Sequence, residues 1–379
     1  MAFSVQWRAG VASALAAAAL LAACGGGDSS PTTTRIVSFG DSLSDLGTYT
    51  IATSQVPGTA PYFGGRFTTN THTGYTAATS PLSNTATIWV EWVAARVGVP
   101  ITQAMLGFAT TRIPCPAAAT AALAQSCTAY GQGGSRVTDP NGINRAQGAL
   151  TDPLVTQVAA HLTRFTSFGD GDIVFLFAGG NDMLTQLGAV GQGLAPATAI
   201  ANMQTAGTEM ATLIKDQIVA KGATRVAVIN LPDLAGTPQF SGQSAQTKGL
   251  IGQMTTAFNT AVTTGLGGAS VGIIDANAFF ADVIANRTKY GLADVTTTAC
   301  DPARMAPAAG GSSLFCNATP VATLTAAGLP TTVNSLRTGA SASTWFFADG
   351  VHPTSGGHKL FSDFVIGKIK EFGWIPANQ

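Results

Sequence analysis

The chain has 379 residues, 46% of them apolar and only 10% charged, with 19 basic against 19 acidic side chains. One α/β domain with insertions absorbs that length, and the apolar fraction is ample for a core. A net charge near zero without any basic run excludes the electrostatic footprint of a nucleic-acid binder. With charge so far below the roughly 25% of an average soluble protein, the surface is expected to be neutral and polar, built from Gly, Ala, Ser and Thr.

The first segment reads as a processing signal. Arg8 supplies a positive start, and residues 9–22 form a small-residue apolar stretch too short to span a bilayer. Leu21-Ala22-Ala23-Cys24 resembles the lipobox of bacterial lipoproteins, which implies cleavage before Cys24 and acylation of that residue. The alternative is an ordinary secretory signal with an incidental cysteine. The Gly-, Ser- and Thr-rich residues 25–34 suit a flexible tether. The expected division is therefore a signal at 1–24, a tether at 25–34 and one domain at 35–379. The expected location is outside the cytoplasm, on the outer membrane facing periplasm or cell surface. The lipid anchor is the membrane contact, and a monomer is expected.

Five short apolar runs carry the strand signal, at 35–39, 101–106 (a weak one), 172–178, 225–230 and 271–275. Helical periodicity follows at 199–220, 255–264 and 359–372, with Ile200, Met203, Met210, Leu213 and Ile214 recurring on one face. Strands alternating with helices imply an α/β fold with a parallel sheet covered on both faces. Three stretches break the rhythm, at 70–87, 106–142 and 294–343, and read as insertions around a site. The last two carry Cys115, Cys127, Cys300 and Cys316 as two local pairs. An exported chain meets oxidising conditions, so disulfides Cys115–Cys127 and Cys300–Cys316 are expected. Four cysteines allow three connectivities, and zinc binding is the rival reading. No histidine lies near either pair, and neither a metal nor a cofactor is expected.

The chemistry-bearing residues also come in chain order. Ser42 sits in Gly40-Asp41-Ser42-Leu43, directly after the first apolar run. In an open α/β sheet ligands bind at the carboxyl ends of the strands, which is where this serine stands. Residues from Leu43 onward are expected to begin a helix whose N-terminus faces Ser42. Alone, Gly-Asp-Ser is also ordinary turn or cap chemistry. A serine nucleophile needs a base, and a base needs a carboxylate to fix its tautomer. Asp349 and His352, three residues apart in Asp349-Gly350-Val351-His352-Pro353, supply both. His72, His161 and His358 are expected to be plain surface histidines. Gly133-Gly134 and Gly180-Asn181-Asp182 offer donors for a developing oxyanion, although each is also standard turn sequence.

Taken together and in this order, these blocks resemble those of the SGNH (GDSL) hydrolases. The resemblance covers nearly the whole mature chain. It implies a flavodoxin-like three-layer α/β/α sandwich with about five parallel strands. It also implies Ser42 as nucleophile, His352 as base and Asp349 as its orienter, with an oxyanion hole of Ser42 N–H, Gly134 N–H and the Asn181 side chain. Ala129 stands where many relatives carry Asn, so the choice between Gly133 and Gly134 stays open. Gly65-Arg66-Phe67-Thr68 with Trp89-Val90-Glu91-Trp92 resembles the Gly-Arg-Phe…Trp-x-Glu element of longer members. A rival Gly-x-Ser-x-Gly elbow at 268–272 has its strand after the serine, so it is a chance match. The expected function is cleavage of a small ester or lipid. A carbohydrate O-acetylesterase and a non-catalytic surface binding module are the alternatives.

Overall fold

The computed structural model describes residues 32–53, 65–73, 83–305, 310–319 and 334–379. Cys24, the signal and most of the tether lie outside the described residues, as do parts of the 70–87 and 294–343 insertions. Ten strands are described: β1 Arg35–Gly40, β2 His72–Thr73, β3 Ser83–Asn84, β4 Met105–Phe108, β5 Thr111–Pro114, β6 Asp172–Phe177, β7 Val226–Ile229, β8 Gly272–Ile274, β9 Asp294–Thr298 and β10 Trp345–Phe347. Seven helices matter for the layers: α1 Trp89–Val97, α2 Leu154–Phe165, α3 Gly180–Gly191, α4 Pro196–Gln217, α5 Ala245–Gly265, α6 Ala276–Ala285 and α7 Ser355–Glu371.

β1, β6, β7 and β8 form one parallel sheet in the order β1-β6-β7-β8, with Arg35 opposite Asp172 and Val174 opposite Val226. Its inner strands are apolar on both faces because helices cover both, and side-chain alternation sorts them. Val37, Phe39, Val174, Leu176, Val226 and Val228 pack with α2, α3, α4 and α5. Ile36, Ile173, Phe175, Phe177, Ala227 and Ile229 pack with α1, α6 and α7. Each Val, Leu, Ile and Phe side chain among these, withdrawn fully from water, contributes about 1.5–3 kcal/mol, and Arg35 pairs with Asp172 across β1 and β6.

Among the described residues the sheet has four strands, where about five are expected. The weak run at 101–106 never joins it as a strand, because Thr102 and Gln103 interrupt its apolar pattern. The β1 edge is instead extended by single bridges from Ser38 to Ala129 and from Ala129 to Gln103. Beyond them the chain turns into the antiparallel β4–β5 hairpin. Two further expectations need correction. No helix begins after Leu43: Ser42–Ser44 is a single 3₁₀ turn. The Asp45 carboxylate then takes the N–H groups of Gly47 and Thr48, and Gly47 adopts φ +124°, so the chain turns away. His72, His161 and His358 are buried, not surface residues. Burial pushes the imidazoles of His161 and His358 down to about 3, so both are neutral fillers. Cys115–Cys127 and Cys300–Cys316 are bonded, each with Cα atoms 5.9 Å apart.

Candidate active site

Ser42 leaves the carboxyl end of β1, where β1 presses so closely on β6 that a Cβ on Gly40 would fall 2.4 Å from the Phe177 carbonyl oxygen. The turn is held from four sides. Gln157 of α2 is buried, and its amide makes a reciprocal pair with the Gly40 peptide: Oε1 accepts Gly40 N–H at 2.9 Å and Nε2 donates to Gly40 O at 2.8 Å. The Trp89 indole N–H donates to Leu43 O at 2.9 Å. Gln103 accepts Leu46 N–H at 2.9 Å and donates to Gly131 O at 2.9 Å. Asp45, wholly buried, accepts Gly47 and Thr48 N–H on one oxygen and Gly133 N–H on the other, all within 2.7–2.8 Å. Asp45 thereby ties the serine turn to the glycine block, and burial pushes its carboxyl up to about 6.

Asp349 and His352 sit on a tight loop between β10 and α7. Ala348 N–H donates to His352 O and Thr354 N–H to Phe346 O, which closes the loop. The Thr354 hydroxyl caps α7 at Gly357 N–H. In that loop His352 Nε2 lies 2.8 Å from Ser42 Oγ, and His352 Nδ1 lies 2.9 and 2.8 Å from the two Asp349 oxygens. The Asp349 oxygens also accept N–H from Val351, His352 and Ser313. Burial alone would raise the Asp349 carboxyl, but the His352 charge and these hydrogen bonds hold it well below the usual carboxylate range. Burial would likewise lower the His352 imidazole, yet the charge and hydrogen bond of Asp349, with Asp41 beyond, keep it above its ordinary value. Asp41, buried directly before the serine, is pushed up to about 7 by desolvation.

The two glycines are not equivalent. Gly133 N–H is spent on Asp45, and Gly133 is buried. Gly134 is partly exposed and holds φ +88°, a conformation that favours glycine. Among the described residues no acceptor is found for the N–H of Gly134 or of Ser42. Asn181, in the first turn of α3, donates one amide hydrogen to Ser135 O at 2.9 Å, which leaves its second hydrogen free. Its neighbour Asp182 accepts from Arg136 and from Val137 N–H, so the pair clamps the segment after the glycines.

The structure therefore brings Ser42, His352 and Asp349 into one hydrogen-bonded line and places two N–H groups without protein acceptors and one amide on associated segments. Sequence reasoning missed Asp45, Gln103 and Gln157. The usable signal for Gln157 was a polar residue on the apolar face of α2, between Leu154 and Val158. Asp45 carried only the weaker mark of an Asp before Gly47 in a turn.

A family model described as GDSL-like Lipase/Acylhydrolase matches residues 36–365. No curated protein matches the chain.

Proposed function

The chain belongs to the GDSL-like lipase/acylhydrolase family, and from that premise we propose that it is a serine hydrolase cleaving carboxylic esters through an acyl-enzyme on Ser42. The observation that carries the reading is the 2.8 Å approach of His352 Nε2 to Ser42 Oγ, with Nδ1 held by Asp349. Nδ1–H donated to a carboxylate leaves Nε2 as the lone-pair nitrogen, the tautomer a base requires. As Ser42 Oγ attacks the ester carbonyl, His352 Nε2 takes its proton, and Asp349 stabilises the imidazolium. The carbonyl oxygen becomes an oxyanion held by Ser42 N–H, Gly134 N–H and the free hydrogen of Asn181 Nδ2. His352 then returns the proton to the leaving alcohol. Water, deprotonated by the same nitrogen, cleaves the acyl-serine.

A non-catalytic module has no use for a serine bonded to an oriented imidazole, so the enzyme reading stands above it. Hydrolysis of p-nitrophenyl acetate, butyrate and octanoate by the purified protein and by Ser42→Ala tests it. Loss of turnover in the variant is expected, and the chain-length profile separates an acetylesterase from a lipase. An inactive wild type would leave the binding module.

The same proposal extends to the N-terminus. Cys24 is acylated and becomes the first residue after cleavage of residues 1–23, and residues 25–34 tether the domain to the outer membrane. Stable anchoring takes more than one acyl chain. Mass spectrometry of the mature N-terminus checks it, and an unmodified, freely soluble product would make this an ordinary secreted enzyme.

A further inference from the structure

We propose that Phe67 is a positioning residue of this site, an aromatic wall that holds the His352 imidazole in place and favours its charged form. The inference rests on the reading of His352 as the base. The Phe67 ring lies 5.0 Å from the His352 ring, centroid to centroid, with the planes tilted by 37°. Tyr49 meets Phe67 edge-on at 6.2 Å, and the Tyr49 hydroxyl donates to Gly133 O at 2.7 Å. Phe67 itself is partly exposed and is backed by the small apolar cluster of Tyr49, Ala149 and Leu150.

The ring also explains a glycine. A Cβ on Gly133 would fall 2.2 Å from Cε2 and Cζ of Phe67. Gly133 does not hold a positive φ, so its backbone does not demand glycine, whereas that of Gly134 does. One glycine of the pair serves the chain's turn, and the other makes room for an aromatic ring. The ring's own backbone is fixed with equal care. The Asn70 amide nitrogen lies within 2.9–3.1 Å of the carbonyl oxygens of Arg66, Thr68, Ser313 and Cys316. Arg66 pairs with Glu91 at 2.7 Å, and Gly65 N–H donates to Leu314 O. The Gly-Arg-Phe segment, α1 and the segment ending at Cys316 thus converge to present one ring to one imidazole.

Proton transfer from Ser42 makes that imidazole a cation, and an aromatic ring beside a desolvated cation stabilises it. Without the ring, His352 loses a packing partner and part of the support for its charge. The other titratable groups around it are Asp349, Asp41 and His358, which burial holds neutral; His358 bonds the Phe67 backbone, which Phe67→Ala leaves in place.

The test is a double-mutant cycle on the mature protein with p-nitrophenyl acetate. Phe67→Ala and Gly133→Ala should each lower kcat about 5–30-fold while KM changes by less than about threefold. In Phe67→Ala the acid limb of kcat/KM should move to lower pH. In the double variant the added Cβ meets no ring, so its kcat should be no lower than that of Phe67→Ala. A purely structural role would lower the melting temperature and leave the acid limb in place. An unmoved limb, or losses that simply multiply in the double variant, overturns the proposal. Should Phe67→Ala fail to fold, Gly133→Ala displaces the intact ring and must by itself lower kcat and shift the limb. If Ser42→Ala is inactive while Phe67→Ala matches the wild type, only the Phe67 proposal fails. If Ser42→Ala keeps turnover, the serine–histidine reading fails first.

Discussion

Asp45→Asn probes how the serine turn and the glycine block at 131–134 are held together. The wild-type carboxylate accepts three buried N–H groups, two on Oδ1 from Gly47 and Thr48 and one on Oδ2 from Gly133. Asparagine has the same shape but one acceptor oxygen. It keeps that oxygen toward the two donors of the turn and puts its NH₂ against Gly133 N–H. One charge-assisted hydrogen bond disappears, a loss of about 1.5–3 kcal/mol, and a buried donor is left unmet at about 1–3 kcal/mol, two costs that largely overlap. The neutral amide also removes the desolvation that pushes the Asp45 carboxyl up to about 6, which returns part of the loss. A net destabilisation of about 1–3 kcal/mol follows, a few degrees in melting temperature for a chain of this size. Catalysis should suffer more. Gly133 is pushed from Asp45 and carries Gly134 with it. Removing an oxyanion donor outright costs roughly 10²–10³-fold, so partial displacement should lower kcat about 10–100-fold with KM nearly constant. Initial rates against p-nitrophenyl acetate, with melting curves alongside, measure both. Wild-type kcat in a variant with a lowered melting temperature would mean that Asp45 only stabilises the fold.

Asn181→Ala should lower kcat roughly 10²–10³-fold with a much smaller effect on KM; an unchanged kcat would reduce Asn181 to its bond with Ser135. Asp349→Asn should be milder than His352→Ala, because the imidazole keeps some basicity while losing tautomer control; equal losses measured in kcat/KM would assign the base wrongly. Because His352 titrates above its ordinary value and must be neutral to accept the proton, kcat/KM should fall as pH drops through a value above the 6.5 of free imidazole. In Asp349→Asn that limb should move to lower pH, and a limb that stays put would separate it from the Asp349–His352 pair.

Much of this was legible in the sequence because the signals were local. The runs at 35–39, 172–178, 225–230 and 271–275 became β1, β6, β7 and β8 within a residue or so at each end, since continuous apolar strands with helices between them have few other homes. α5 and α7 start ten and four residues before the predicted points, where capping by Ser244 and Thr354, not apolar spacing, sets the first turn. The run at 101–106 misled because hydrophobicity was read without the polar Thr102 and Gln103, whose backbone and side chain serve the glycine block. The histidines went astray for a related reason: a lone histidine gives no local sign of burial, and His161 lies against Phe39 and Tyr130 from distant segments. The site's reactive side chains were readable as blocks, whereas its supports were not. Gln157 reaches Gly40 across 117 residues and Asp45 reaches Gly133 across 88, contacts that no local pattern encodes.

The most direct measurement of the central claim is active-site labelling with a fluorophosphonate followed by peptide mapping. A serine made nucleophilic by His352 should take up one label per chain, on Ser42, and His352→Ala should nearly abolish it although Ser42 is still present. Labelling at another serine, or equal labelling of Ser42 in wild type and His352→Ala, would contradict the account.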